Sequence, residues 1–87
     1  MKVSVWDTYL KRENGLIMHF DILVDNKLTD ETKILDFGKN YLKNKSFKSE
    51  ALTSKKCVFC HIENASELVI KEIKTKGYYI IEMENCN

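Results

Sequence analysis

The stretch Val3-Ser4-Val5-Trp6-Asp7-Thr8-Tyr9-Leu10-Lys11-Arg12-Glu13-Asn14-Gly15-Leu16-Ile17-Met18-His19-Phe20-Asp21-Ile22-Leu23-Val24 decides the fold. Two runs rich in β-branched and aromatic residues, Val3–Leu10 and Leu16–Val24, flank the polar link Lys11–Gly15. Asn-Gly between alternating runs is a strong hairpin signal. The register is the open quantity. A two-residue type I′ turn at Asn14-Gly15 sets Tyr9 opposite Phe20, Thr8 opposite Asp21 and Leu10 opposite His19. A three-residue loop closed by Gly15 with a bulge shifts the pairing by one and sets Asp7 opposite Asp21. Carboxylates placed opposite each other repel, so the two-residue turn is the expected one.

Working outward, the second strand has two chemically different faces. Leu16, Met18, Phe20, Ile22 and Val24 point to the expected core, and Ile17, His19, Asp21 and Leu23 point the other way. After the polar break Asp25–Lys27, Thr29 or Asp30 can cap a helix that carries Ile34, Leu35, Gly38, Tyr41 and Leu42 at helical spacing through about Lys43. Gly38 lies on the apolar face, where a missing side chain lets the helix approach the sheet. Leu52–Glu63 reads as a third strand. Asn64-Ala65-Ser66-Glu67 reads as an N-cap with its capping-box glutamate. The second helix ends at Gly77, and Tyr78–Glu84 is a fourth strand. The order is ββαβαβ. A strand reached through a helix is expected parallel to the one before it. The expected fold is therefore α+β: one domain over residues 1–87, with a four-stranded mixed sheet and both helices on one face.

Composition narrows the function. A chain of this size buries roughly 60–65% of its unfolded surface, enough for one thin core. A formal net charge of +1 argues against a broad nucleic-acid or membrane footprint. The lysines of Lys39–Lys48 and Lys71–Lys76 are mixed with or lie near acidic residues and read as solvated helix faces. Met1–Asp7 has no long apolar core or cleavage signature and reads as a strand, so the expected location is the cytoplasm, where thiols stay reduced.

All three cysteines fall in Cys57-Val58-Phe59-Cys60-His61 and at Cys86. The Cys-x-x-Cys-His run matches the c-type haem attachment pattern, but the sequence lacks an export signal and room for the pocket. Cys57, Cys60, His61 and Cys86 supply enough donors for tetrahedral zinc, although Val58 and Phe59 prefer strand to the tight turn of a zinc knuckle. A redox pair wants a helix N-terminus, and this pair precedes its helix by several residues. A plain strand puts Val58, Cys60 and Ile62 in the core, and leaves Cys57 and His61 on the open face with His19 and Cys86. The zinc knuckle needs Cys60 and the strand discards it.

A second polar group is Asp7, Thr8, His19 and Asp21. His19 and Asp21 share a face, and a carboxylate beside an imidazole prepares it for proton transfer. In the expected register Trp6, Leu10, Ile17 and Leu23 also lie on that face. An apolar patch with a polar rim marks a pocket or a partner surface, and a symmetric homodimer is the commonest way to cover one, so self-association at micromolar concentration is expected.

With these residues in view, the chain resembles a small family of bacterial domains of unknown function. The resemblance rests on Val5-Trp6-Asp7-Thr8-Tyr9, Met18-His19-Phe20-Asp21-Ile22, Cys57-Val58-Phe59-Cys60-His61, Gly77-Tyr78-Tyr79-Ile80-Ile81 and Met83-Glu84-Asn85-Cys86-Asn87. It implies a small α+β domain of the bacterial cytoplasm. It brings no activity, substrate or catalytic assignment. The functional expectation is a small binding or interaction domain with a cysteine–histidine zinc site. The alternatives are a metal-dependent or His/Asp acid–base enzyme using His19, Asp21 and His61, and a structural adaptor with inert thiols.

Overall fold

The hairpin forms in the register with the opposed carboxylates. In the computed structural model, which describes all of residues 1–87, strand β1 (Lys2–Lys11) and strand β2 (Ile17–Asp25) pair with Asp7 opposite Asp21 and Tyr9 opposite His19. The expected two-residue turn is corrected to the loop Glu13-Asn14-Gly15. Arg12 N–H donates to the Leu16 carbonyl at 2.7 Å, and Gly15 N–H donates to the Arg12 carbonyl at 2.9 Å. Gly15 has φ +87°, while the Asn14 side chain accepts from Leu16 N–H at 3.1 Å. Asn14 thus caps its own turn instead of taking the left-handed conformation that a type I′ turn demands. A one-residue slip moves every side chain to the other face. The observed register sends Leu10 and Thr8 inward beside Met18 and Phe20, all four fully buried. Burying a leucine is worth roughly 1.5–3 kcal/mol, and the charge repulsion on the other face has a remedy described below.

The remaining elements are helix α1 (Glu31–Lys43), strand β3 (Cys57–Asn64), helix α2 (Glu67–Lys76) and strand β4 (Tyr79–Glu84). The expected order holds. The sheet runs β3-β1-β2-β4 with every neighbouring pair antiparallel, so the expected mixed sheet is corrected. Strand β3 does run in the same direction as β2, but β1 lies between them. No helix is long and apolar enough to cross a membrane.

The helices lie on opposite faces, which corrects the one-faced arrangement. The even-numbered residues of the central strands, Leu10, Met18, Phe20, Ile22 and Val24, form the larger core with Ile34 of α1, Leu52 and Tyr78. Gly38 permits that approach, because a Cβ there would lie 2.5 Å from Leu52 Cδ2 and 3.0 Å from Ile22 Cδ1. The odd-numbered Val3, Val5 and Leu23 form a smaller core with Val69 and Ile73 of α2 and with Tyr79 and Ile81 packed against it.

Caps fix the helix ends. Asp30 caps α1 through Thr32 N–H and Lys33 N–H. Ser66, not Asn64, caps α2 through Val69 N–H at 3.3 Å, because Asn64 is still pairing with Lys2 in the sheet. Gly77 closes α2 in the left-handed conformation at φ +97°, as its sequence position suggested.

Candidate functional site

Helix α2 covers only part of the odd face. Beyond Val5 and Leu23, the next cross-strand pairs on that face are Asp7–Asp21 and Tyr9–His19. His19 Nε2 lies 3.4 Å from Asp21 Oδ1 and 3.8 Å from Asp7 Oδ1. One donor atom from each of the three residues falls within 4.8 Å of the others, the one such grouping of His, Cys, Asp and Glu in the chain. Tyr9 stacks on the imidazole with ring centroids 4.0 Å apart and planes 12° apart. The aromatic ring fixes the imidazole plane and leaves its Nε2 edge to the carboxylates.

The opposed carboxyls ionise unequally. Burial, then the hydrogen bond and charge of Asp7, push Asp21 up from 3.8 to about 6. The hydrogen bond from Asp21 is the main cause that holds Asp7 below the usual carboxylate range. Protonation of Asp21 thus relieves the repulsion below about pH 6, and above it both charges stand beside His19. His19 Nε2 and Asp21 Oδ1 are nevertheless buried with no hydrogen-bond partner.

Two irregularities flank this group. Strand β3 shifts register against β1 between Val5 and Trp6, which leaves Cys60 as an extra residue between the Trp6–Phe59 and Val5–His61 pairs. Strand β4 shifts against β2 between His19 and Phe20. Bulges beside a site re-aim side chains. Here the first one turns the Cys60 thiol toward the Asp7 carboxylate. Partial desolvation and the Asp7 and Asp21 carboxylates push that thiol up, so it is held protonated rather than activated.

The four expected metal ligands are not brought together. Cys57 is buried in the even-face core opposite Thr8, and burial pushes its thiol up. Cys86 is buried in the same core and donates to the His19 and Glu84 carbonyls, each at 3.3 Å. Cys60 and His61 are exposed on β3, with His61 Nδ1 3.2 Å from Cys60 Sγ and Nε2 2.7 Å from Glu63 Oε1. The simple strand reading is corrected in the opposite sense: Cys57 is the core residue and Cys60 the surface one. Within the polar set, Asp7, His19 and Asp21 meet, whereas Thr8 points to the other face. Trp6 and Leu10 also leave the expected open patch, because the register moved. Tyr9 was missed. The three-residue loop was the signal that would have found it, since only that register sets Tyr9 beside His19.

A hollow of about 290 Å³ adjoins the group, with Asp7, Tyr9, Lys11, Lys55, Lys56 and Val58 among its walls. It gives solvent and small solutes a path to the Asp7 carboxylate.

A family described as "Domain of unknown function (DUF2024)" matches residues 1–83. The fold is also that of protein NE1680 from Nitrosomonas europaea, a structural-genomics target solved by NMR, at a TM-score of 0.79 and 39% sequence identity over 100% of both chains. No curated protein matches the chain.

Proposed function

The chain belongs to the DUF2024 family, which carries no assigned activity, and on that premise we propose that it is a divalent-metal-binding domain with Asp7, His19 and Asp21 as the protein ligands. One observation carries the reading. His19 Nε2 and Asp21 Oδ1 are buried, lack hydrogen-bond partners and lie 3.4 Å apart. A buried polar atom without a partner costs about 1–3 kcal/mol. A cation held by both atoms and by Asp7 satisfies them together and removes the repulsion between the carboxylates.

One imidazole nitrogen and two carboxylate oxygens suit zinc and the neighbouring first-row ions. Three protein ligands leave coordination positions for water, as in catalytic rather than structural sites. Such an ion lowers the pKa of its water and can activate it for hydrolysis, and the hollow beside Asp7 offers a substrate its approach. The function supported best is therefore metal binding with an open coordination position, and the enzymatic extension is small-molecule hydrolysis.

Calorimetric titration of the metal-free protein with zinc and with manganese tests this. One equivalent of ion is expected to bind, and His19→Ala or Asp21→Asn should weaken binding by roughly tenfold or more. Cys60→Ala and His61→Ala should bind as wild type does. Binding lost in those two variants and retained in Asp21→Asn would return the site to the cysteine–histidine segment. No binding of either ion would leave the domain as an adaptor.

A further inference from the structure

The two edges of the sheet are built differently. Strand β4 is short and carries Glu82 and Glu84, with Glu82 held by Tyr41 and Lys45 of the α1 side. Charges on a short edge strand discourage pairing with another chain. Strand β3 has eight residues, and no charged side chain stands between Cys57 and Ile62 apart from the titratable His61. Val58, Phe59 and Ile62 are 56%, 46% and 49% exposed.

The bulge at Cys60 organises this edge. Residues three apart in a regular strand point to opposite faces. With one residue extra, Phe59 opposite Trp6 and Ile62 opposite Ser4 share the even face. Phe59 meets the Trp6 ring edge-on at 5.8 Å and 72°. The backbone is sorted too. Tyr9 N–H donates to Lys56 and Ala65 N–H donates to Met1. The alternation of an antiparallel ladder then leaves the N–H and C=O of Cys57, Phe59, Ile62 and Asn64 turned away from β1. These four lie symmetrically about Cys60-His61.

We propose that β3 pairs antiparallel with β3 of a second copy of this chain, about a twofold axis beside Cys60-His61, so that the two sheets become one. The occupant is a second copy because the edge is self-complementary. Lys55 and Lys56 precede the strand and Glu63 stands near its far end, so antiparallel self-pairing sets the cationic end of each copy beside the acidic end of the other. The same rotation brings Phe59 and Ile62 of both copies into one apolar cluster next to Trp6. Such isologous contacts need a single patch that fits itself. The pairing leaves Asp7, His19 and Asp21 open and does not depend on a metal.

Light scattering during size-exclusion chromatography tests the pairing. A dimer mass is expected for the wild type and for Leu68→Lys, an exposed position on α2. Phe59→Lys and Ile62→Lys should each run as monomers with unchanged circular dichroism. Cys60 is the one exposed thiol, so a short bismaleimide should link two wild-type chains and fail with Cys60→Ala. If either lysine variant misfolds, amide exchange of the wild type decides. Protection at Cys57, Phe59, Ile62 and Asn64 should rise with protein concentration. A monomer mass at the highest soluble concentration, a dimer that survives both lysine substitutions, or exchange at those amides that ignores concentration would overturn the proposal.

Discussion

The odd face of the sheet has two ends that share strands, register and twist, yet one is a core and the other a candidate site. At one end Val3, Val5 and Leu23 pack under Val69 and Ile73. At the other, one cross-strand pair further along, Asp7 meets Asp21 and then Tyr9 meets His19. The difference lies in how far the cover reaches. Helix α2 has ten residues, about 15 Å of helix, whereas the nine residues of β2 extend about 30 Å. The uncovered length is held by the two central strands, so its side chains are positioned rigidly while solvent still reaches them. Rigid elements with an open side are where a binding constellation is best placed.

Removing the cover's anchor should break the comparison most strongly. Leu23→Ala empties a fully buried position of the smaller core and is expected to cost about 2–5 kcal/mol in urea unfolding. Added zinc should restore little of that loss, because the site would be intact but its scaffold weakened. Ser66→Ala acts on the helix rather than the face. It removes the oxygen that accepts from Val69 N–H and should cost about 0.5–2 kcal/mol. Zinc affinity should hardly change, since no ligand touches α2. A loss of affinity parallel to the loss of stability would mean that the two ends are one unit.

Much of this contrast was legible from the residues. The two strands, both helices and the Gly77 terminus follow from period and punctuation alone. The split of the helices between faces was also written in the chain, in Val3 and Val5 beside Leu23 and in the adjacent pair Ile80-Ile81. A strand apolar on both faces is one covered on both. Two features were not legible. The hairpin register turned on whether Asn14 takes a left-handed conformation or bonds its own turn, and the burial of Leu10 beside Met18 and Phe20 outweighs the carboxylate repulsion. The bulge at Cys60 breaks the alternation of β3, so Ile62 joins Cys57 and Phe59 on the even face and parts from Val58, with which strict alternation grouped it. The first misreading hid Asp7 from Asp21, and by turning Thr8 inward the same register also carries Cys57, its partner on β3, into the core in place of Cys60.

The smallest expected effect is also the most specific to the open end. Asp21 has its carboxyl raised from 3.8 to about 6, chiefly by burial. A group whose folded pKa is raised stabilises the fold fully below its unfolded pKa and loses that contribution as pH climbs through the folded value. Asp21 therefore favours the metal-free fold below about pH 3.8 and withdraws that support by about pH 6. Asp21→Asn keeps the position neutral at every pH, and its amide can still donate to Asp7. The stability difference between the variant and the wild type should be near zero at the acid limit, grow across that window and level off above it. The variant should end about 1 kcal/mol more stable at neutral pH, the usual scale on which a functional site strains its scaffold. Asp7, held low by its hydrogen bond, contributes the opposite slope in both proteins and largely cancels in the difference. Saturating zinc should reverse the order at neutral pH, because only the wild type keeps both carboxylates for the ion. Thermal melts of the two proteins across this range, with and without zinc, make the comparison. A difference that stays flat with pH would mean that Asp21 behaves as an ordinary surface carboxyl and that the open end stores no strain for a cation to release.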